Sequence, residues 1–306
     1  MSDPALWAAP VTKVALNPLQ WYLTIEGPRF EQAPPLAEIY RQIRAAGFGA
    51  VHIEPPDSMT LEEYGRLLAD SGLRAAPGYF QAPFSRPEEL AEVLERAKRF
   101  AGTHAHLGLD RLFIADQFAD PARLEAPGQG VGEDPVRLEL LIEGLGAACE
   151  AMVGEGVVPC LHQHVGTLIE TPDETEQVLT EIDPSLLLLG ADTGHLAWAG
   201  ADPAAFIRRH ADRVGAVHLK DLHMAAAEAG RNLGESYGQI SGRHLWTEPG
   251  RGDVHFDEVL RALASFEGWF VIEVDIPDQP TPFESAQVSW RWVERNLGGR
   301  GGGMVP

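Results

Sequence analysis

The sequence has few cysteines and no apolar run long enough to cross a membrane. Only Cys149 and Cys160 occur among 306 residues, so a disulfide framework is excluded and a reducing, cytoplasmic location is predicted. No run of about 18 apolar residues exists, and residues 1–10 lack a basic segment followed by an apolar one. We therefore expect no membrane-spanning helix, no signal peptide and no membrane partner.

Positive charge is also scarce. The chain has 24 Lys and Arg against 45 Asp and Glu, a formal net charge of −21. A surface this acidic repels phosphate backbones, so no nucleic-acid partner is expected.

A Gly-x-Gly-x-x-Gly turn is missing after the first predicted strand, which disfavours an open, doubly wound sheet. No glycine-rich phosphate loop stands out either, which favours an unphosphorylated substrate.

Strand-like and helix-like segments alternate along the chain. The predicted strands cover residues 11–17, 50–54, 73–80, 111–117, 157–164, 186–192, 214–220 and 269–275. The predicted helices cover residues 35–47, 61–72, 87–101, 135–154, 173–182, 203–212, 256–266 and 284–296, with loops at 118–133 and 221–253. Eight strand–helix units predict an α/β fold, a single (βα)8 TIM barrel over residues 1–297, followed by a disordered glycine-rich tail at 298–306.

One strand leads directly into polar residues. Residues 186–189 are four consecutive leucines without an amphipathic period, which is typical of a strand buried on both faces. The run continues to Asp192, Thr193 and His195. Active sites of parallel barrels lie at the carboxyl ends of the strands, so we expect chemistry here. The alternative is that Asp192 caps the next helix and His195 is an ordinary loop residue.

Three further strands also end in polar side chains. Alternate residues of a strand point to the same face, so four side chains converge if the first polar residue of each strand end faces the barrel axis. These are His162, Asp192, His218 and Glu273. Mixed nitrogen and oxygen ligands suit manganese, cobalt, iron or zinc better than calcium. The expected cofactor is one divalent metal ion, Mn²⁺, Co²⁺, Zn²⁺ or Mg²⁺. A hydrogen-bonded core histidine or a capping acid is the alternative for each, but burying four polar groups is costly without a ligand.

At this point the sequence resembles the xylose isomerase-like TIM barrels, the sugar-phosphate isomerase/epimerase family. The likeness covers nearly the whole chain and is carried by residues 192–195 (Asp-Thr-Gly-His), 218–221 (His-Leu-Lys-Asp), 248–253 (Glu-Pro-Gly-Arg-Gly-Asp) and 271–275 (Val-Ile-Glu-Val-Asp). The resemblance implies one divalent ion held by a glutamate, an aspartate, a histidine and a second glutamate. Asp192, His218 and Glu273 match the last three, whereas His162 or His164 stands where the first glutamate is usual.

Residues 162–172, His-Gln-His-Val-Gly-Thr-Leu-Ile-Glu-Thr-Pro, are similar to the inosose dehydratase branch. That branch implies a keto-polyol substrate, removal of a proton next to the ketone, a metal-stabilised enediolate and loss of water. A sugar isomerase or epimerase, of the ketose epimerase or hydroxypyruvate isomerase kind, is the alternative because the same site serves those reactions. An endonuclease IV-like nuclease conflicts with the acidic charge, and a non-catalytic barrel has no use for four matched polar strand ends.

Four residues are candidates for proton transfer: His164, His195, Glu54 and Lys220. We expect His162 to be the metal ligand and His164, one step closer to solvent, to bind substrate or move a proton. Lys220 requires a lowered pKa to act as a base; otherwise it holds a substrate oxygen as a cation or pairs with Asp221 or Asp192.

Two further residues are candidates for substrate binding, together with Lys220. Trp21 is expected to line an apolar wall, unless it packs in the core. Arg251 lies in the glycine-rich part of 221–253, a stretch expected to be irregular, mobile and positioned over the site. The predicted partner is a small polyol or keto-sugar, and assembly into a homo-oligomer is left open.

Overall fold

Nine strands form one parallel sheet in the computed structural model, which describes residues 13–132 and 134–298. They are β1 (Val14–Leu16), β2 (Ala50–His52), β3 (Arg74–Ala76), β4 (Tyr79–Ala82), β5 (Arg111–Asp116), β6 (Val158–Leu161), β7 (Leu188–Asp192), β8 (Val214–Leu219) and β9 (Trp269–Ile272). Their order in the sheet is β3-β2-β1-β9-β8-β7-β6-β5-β4. The two outermost strands are consecutive in the chain, so the sheet curls into a barrel and the predicted (βα)8 fold is confirmed.

The predicted third strand is divided into β3 and β4 at Pro77 and Gly78. Proline has no amide hydrogen to donate to a ladder. Gly78 passes so close to the neighbouring chain that a Cβ there would lie 2.4 Å from the carbonyl oxygen of Ile53. Its amide donates to His104 Nε2 at 2.9 Å, and its carbonyl accepts from Phe113 N at 2.8 Å. The break lets β3 pair with β2 while β4 pairs with β5, which closes the barrel.

Twelve α-helices occur in the described ranges. They are α1 (Leu36–Ala46), α2 (Leu61–Asp70), α3 (Leu90–His106), α4 (Pro121–Glu125), α5 (Pro135–Gly154), α6 (Pro172–Glu181), α7 (Thr193–Trp198), α8 (Pro203–Arg209), α9 (Met224–Leu233), α10 (Tyr237–Ser241), α11 (Phe256–Ala262) and α12 (Pro282–Asn296). None of these helices is long and apolar enough to cross a membrane. All eight predicted helices are present, with ends shifted by a few residues.

The expectation that 221–253 is irregular is wrong. The segment contains α9, α10 and a two-stranded ribbon that pairs Asp221–Leu222 with Trp246–Thr247. An alanine-rich start, residues 224–229, favours α9. Both ends are tied to the buried Asp221 carboxylate, which accepts from the amides of Leu222, Gly250, Gly252 and Val254. The predicted mobility of this segment stays a prediction.

One smaller expectation also needs correction: the predicted loop 118–133 contains α4, which Asp120 caps through Arg123 N. The alternative that Asp192 caps the next helix is confirmed, because Asp192 accepts from the amide of His195 at 2.8 Å at the start of α7. His195, however, lies within α7 and not in a loop. Residues 1–12 and the tail residues 299–306 lie outside the described residues, so the domain bounds 1–297 and the disorder of the tail remain predictions.

Candidate metal centre and active site

The four predicted metal ligands meet at the carboxyl ends of β6, β7, β8 and β9. One ligand atom from each of His162, Asp192, His218 and Glu273 lies within 4.8 Å of the others. His218 and Asp192 are direct partners in the ladder between β8 and β7. His162 Nε2 is 3.5 Å from Asp192 Oδ2, and His218 Nδ1 is 3.2 Å from Glu273 Oε2. All four side chains are almost completely buried.

Several of these atoms have no hydrogen-bond partner among the described residues. Asp192 Oδ2 and both ring nitrogens of His218 are buried and unpaired. A buried charged oxygen without a partner is costly, and the fold gains nothing from it. Because two nitrogens and two oxygens suit a transition metal or zinc, the residues present fit a divalent ion.

The ring of His162 is oriented for ligation. Its Nδ1 is 3.0 Å from the carbonyl oxygen of Gln163, which can only accept, so Nδ1 carries the proton. Nε2 is therefore the atom with the lone pair, and it faces Asp192. A hydrogen bond at the second ring nitrogen is how proteins fix a metal-binding histidine. Gln163 Nε2 also donates to the carbonyl of Asp192 at 2.8 Å, which ties the two strand ends together.

Lys220 lies behind the cluster and pairs with two carboxylates. Its Nζ is 2.9 Å from Glu273 Oε1 and 2.7 Å from Asp275 Oδ1, and it lies 4.4 Å from the centre of the Trp246 ring. The alternative pairing with Asp221 or Asp192 is therefore wrong. Together with Asp192, three buried carboxylates face one ammonium group, which leaves two negative charges for a divalent ion to balance.

Burial and charge shift the pKa values of this network in different directions. Burial by itself lowers the pKa of Lys220, but Asp275 and Glu273 outweigh it and hold the pKa well above its usual value. Burial raises the pKa of Glu273, but His218 and Lys220 reverse the direction and bring it well below normal. Lys220 is therefore a fixed cation, and the role of a base does not fit it.

Asn17 contacts the cluster and is a residue that sequence reasoning missed. Its Nδ2 donates to Glu273 Oε2 at 2.6 Å, and its Oδ1 accepts from Leu19 N at 3.2 Å. The second bond caps the short 3₁₀ turn Pro18–Trp21. Asn17 thus orients the glutamate oxygen that faces His218. An Asn-Pro pair at the end of a barrel strand is the signal that would have pointed to it.

A cavity of about 600 Å³ opens above the cluster. His162 and Glu273 line its floor, and His164 and Glu54 line its walls. The ring of His164 lies 5.7 Å from that of His162, and its Nδ1 is 2.7 Å from the carbonyl oxygen of Val165. The Nε2 lone pair of His164 is therefore free, as at His162. Burial, followed by the charge of Lys220, lowers the pKa of His164 to about 3, so the ring is neutral at pH 7.

Two of the predicted proton-transfer residues, His195 and Lys220, lie behind the side chains that line the cavity. Within the described ranges, neither His195 nor Lys220 lines the cavity. The ring of His195 lies 3.9 Å from that of His164, and its Nε2 is 3.1 Å from Lys220 Nζ. Burial, followed by the ring of His164, lowers the pKa of His195 well below normal. His195 therefore supports His164 from behind and does not reach a molecule in the cavity.

The two other residues predicted to bind substrate, Trp21 and Arg251, do not line the cavity. Trp21 is buried in the core, donates to Gln42 Oε1 at 2.9 Å and does not line the cavity, whereas its neighbour Tyr22 does. Tyr22 donates its hydroxyl to Glu54 Oε2 at 2.7 Å. Arg251 is half exposed, lies 3.6 Å from Glu248 and is also absent from the wall. Both expectations are corrected on this geometry.

The barrel and its buried cluster agree with a known family. The xylose isomerase-like TIM barrel family matches residues 40–295 of the chain. The chain belongs to this family. Within the xylose isomerase-like TIM barrels, the chain is 29% identical over 299 residues to the inosose dehydratase of Geobacillus thermodenitrificans, covering 94% of this chain and 97% of that one. It is 30% identical over 291 residues to the rhizopine catabolism protein MocC of Rhizobium meliloti, covering 90% and 86%.

Solved structures of low sequence identity share the fold. The probable 3-DHS dehydratase AsbF of Bacillus anthracis superposes with a TM-score of 0.70 at 16% identity, covering 93% of this chain and 99% of that one. The predicted family and its dehydratase-branch likeness are confirmed, and an enzyme of the dehydratase or sugar isomerase/epimerase kind is indicated. The buried cluster is able to hold a metal ion.

Proposed function

We propose that this protein is a divalent-metal-dependent inosose dehydratase. The observation that carries the proposal is the buried set His162, Asp192, His218 and Glu273, with unpaired atoms, at the floor of a cavity. The curated relatives named inosose dehydratase support the substrate class. The commoner glutamate of the family is replaced by His162, whose ring orientation suits the same task.

The charge of the cavity favours an unphosphorylated keto-inositol. No lysine or arginine lines the wall within the described ranges, while four carboxylates do: Glu26, Glu54, Glu273 and Asp275. A phosphate group would meet only like charge there, apart from the ion at the floor. A neutral ring with many hydroxyl groups meets no such repulsion.

We propose Mn²⁺ as the ion at the floor and the cytoplasm as the location of the protein.

His164 and Glu54 line different sides of the cavity, and each handles one of the two proton transfers in the reaction. When bound, the divalent ion supplies a positive charge that draws electrons from the ketone oxygen. His164 Nε2 accepts the proton from the carbon next to the ketone. The pair of electrons left by that proton forms a carbon–carbon double bond as the neighbouring carbon–oxygen bond breaks. The departing hydroxyl takes a proton and leaves as water.

The surroundings of His164 and Glu54 fit these parts. His164 is neutral at rest, and negative charge growing on the substrate raises its pKa as the proton arrives. Glu54, held by the Tyr22 hydroxyl, follows β2 on another side of the cavity and is placed to exchange the second proton. His195 and Lys220 keep His164 and Glu273 in position from behind.

The test uses purified protein with Mn²⁺ and a keto-inositol, followed by ultraviolet absorbance of the unsaturated product and by mass loss of one water. We expect turnover that chelator removes and Mn²⁺ restores. His162→Ala should lose metal, whereas His164→Ala should keep metal and lose turnover, because only the first ring faces Asp192. His106→Ala, at an exposed position on α3, is the matched control. An epimer without loss of water would refute the dehydratase in favour of the isomerase or epimerase alternative.

A further inference from the structure

One histidine that lines the cavity takes no part in the metal cluster or in the proton transfers above. His52 ends β2, lines the cavity and is only 3% exposed. The centre of its ring lies 6.0 Å from that of His218 and 6.5 Å from that of Phe113. It is not among the four residues whose atoms are close enough to share an ion. Its position is therefore at the cavity floor, beside the ligands.

The ring of His52 is not satisfied by the fold. Its Nδ1 is buried without a hydrogen-bond partner in the described part of the chain. Other buried histidines use this atom: His162 and His164 donate from Nδ1 to main-chain carbonyls, and His104 pairs at both nitrogens. An unpaired buried polar group costs about 1–3 kcal/mol, so packing alone favours an apolar residue here.

We propose that His52 is a substrate-binding residue that holds a ring hydroxyl of the keto-polyol away from the metal. The assignment rests on the proposed function for its substrate class. Strands β3, β4 and β5 lie between β2 and β6 around the barrel. His52 and His164 therefore approach the cavity from different sides. A cyclic polyol carries hydroxyl groups around its whole edge. A second fixed hydroxyl therefore decides which carbon is presented to His164.

The chemistry of a neutral imidazole suits this task. His52 is almost completely buried at the cavity, and burial favours the uncharged ring. A neutral ring has one donor and one acceptor nitrogen, and a hydroxyl group likewise donates and accepts. The same pairing recognises a hydroxyl without attracting an anion. His52 thereby selects among polyols by the position of a hydroxyl and not by charge.

The test measures binding, which separates it from the test of turnover. Isothermal titration calorimetry of the Mn²⁺-loaded protein uses myo-inositol, which has the ring and hydroxyl groups but no ketone. We expect His52→Leu to bind it about tenfold more weakly, the effect of one lost hydrogen bond, with unchanged metal content. His52→Asn, whose amide nitrogen reaches the Nδ1 position, should recover part of the affinity. His106→Leu, on the exposed face of α3, should match the wild type.

A series of deoxy-inositols identifies the hydroxyl. One deoxy position should weaken binding to the wild type about tenfold but add nothing to the loss in His52→Leu, because the two changes remove the same contact. Wild-type affinity in His52→Leu, loss of metal from it, or no myo-inositol binding by the wild type would each overturn the assignment. So would failure of both variants to fold, since His52 would then serve packing. Absence of dehydration with this binding pattern intact would refute the proposed reaction alone.

Discussion

Two buried clusters of charged residues lie at the carboxyl end of the barrel, and they differ in how completely their acceptor atoms are paired. In one, Arg123 bridges Glu170 and Glu174 at 3.0 and 2.5 Å. Both oxygens of Glu170 also accept from main-chain amides, those of Gly128, Gly130 and Gly166. In the metal cluster, by contrast, Asp192 Oδ2 and the His218 ring nitrogens have no hydrogen-bond partner in the described ranges.

The difference teaches that burial of charge alone does not mark a functional site. The Arg123 cluster is as buried as the metal cluster, yet every carboxylate oxygen in it has a donor, so it fastens α4, α6 and the adjoining loops. In the metal cluster, Asp192 Oδ2 and the two His218 ring nitrogens have no hydrogen-bond partner among the described residues. Unpaired buried acceptors at a cavity floor point to a ligand, and paired ones point to architecture.

The largest expected effect comes from replacing Asp192 in the metal cluster. Asp192→Asn removes a charged ligand, so turnover should fall by a factor of about 10³ or more and bound metal should be lost. The metal-free variant should unfold at about the same temperature as the metal-free wild type, because asparagine keeps the oxygen that accepts from the His195 amide and caps α7. Metal analysis and thermal melts of both proteins check this. A large loss of metal-free stability would show that Asp192 is a structural residue like those around Arg123.

The opposite outcome is expected for the paired cluster. Arg123→Met leaves Glu170 and Glu174 buried without their cation, which should cost about 3–5 kcal/mol of unfolding free energy. Arg209→Met, which breaks the exposed pair with Glu176, is the matched control and should cost at most about 1 kcal/mol. Urea denaturation of the metal-free proteins gives both values. Equal losses of unfolding free energy in Arg123→Met and Arg209→Met would contradict a structural role for the buried Arg123 cluster.

A third, smaller effect concerns a fully paired buried histidine. His104 donates from Nδ1 to Phe100 and accepts at Nε2 from Gly78, and burial lowers its pKa to about 4. The unfolded chain binds the proton near pH 6.5 but the folded chain does not, so stability is lost as pH falls from about 6.5 towards 4. Between pH 7.5 and 5 the wild type should lose about 2 kcal/mol more than His104→Gln. Parallel urea titrations at the two pH values test the difference.

Much of this site follows from strand periodicity, because alternation places His162, Asp192, His218 and Glu273 on inward faces once a barrel is assumed. The break of the third strand was not predicted, although a proline and a glycine inside a strand-like run, Pro77-Gly78, are the signal for it. Partners that depend on lateral register were not readable. Lys220 pairs with Asp275 only because β8 and β9 align Leu219 with Ile272, a relation between residues far apart in sequence.

Choices between adjacent side chains also escaped the sequence. Trp21 and Tyr22 are neighbours, and the short turn Pro18–Trp21 directs the tyrosine to the cavity and the tryptophan to the core. No local pattern distinguishes the two aromatic residues. His195 presents a similar case, because it lies behind His164 once α7 begins directly at the end of β7.

The smallest expected effect probes how a ligand is held in place in the unpaired cluster. Asn17 donates to Glu273 Oε2, while Lys220 holds Oε1, so the carboxylate is fixed at both oxygens before a metal arrives. Asn17→Ala should lower metal affinity about tenfold, the usual size for a residue that orients a ligand. Asn17→Asp should do worse, because it replaces the donor with a second negative charge against Glu273.

Competition against a metal-binding dye measures the affinity of each Asn17 variant without any need for turnover. Gln20→Ala is the control. Gln20 lies on the same 3₁₀ turn and donates to the carbonyl of Pro282, so its removal loosens the turn without a change at Glu273. If Gln20→Ala weakens metal binding as much as Asn17→Ala, the position of the turn matters and the hydrogen bond to Glu273 does not. If only the Asn17 variants weaken it, the cluster keeps its ligands aligned by donors that the fold supplies, as the Arg123 cluster does for its own carboxylates.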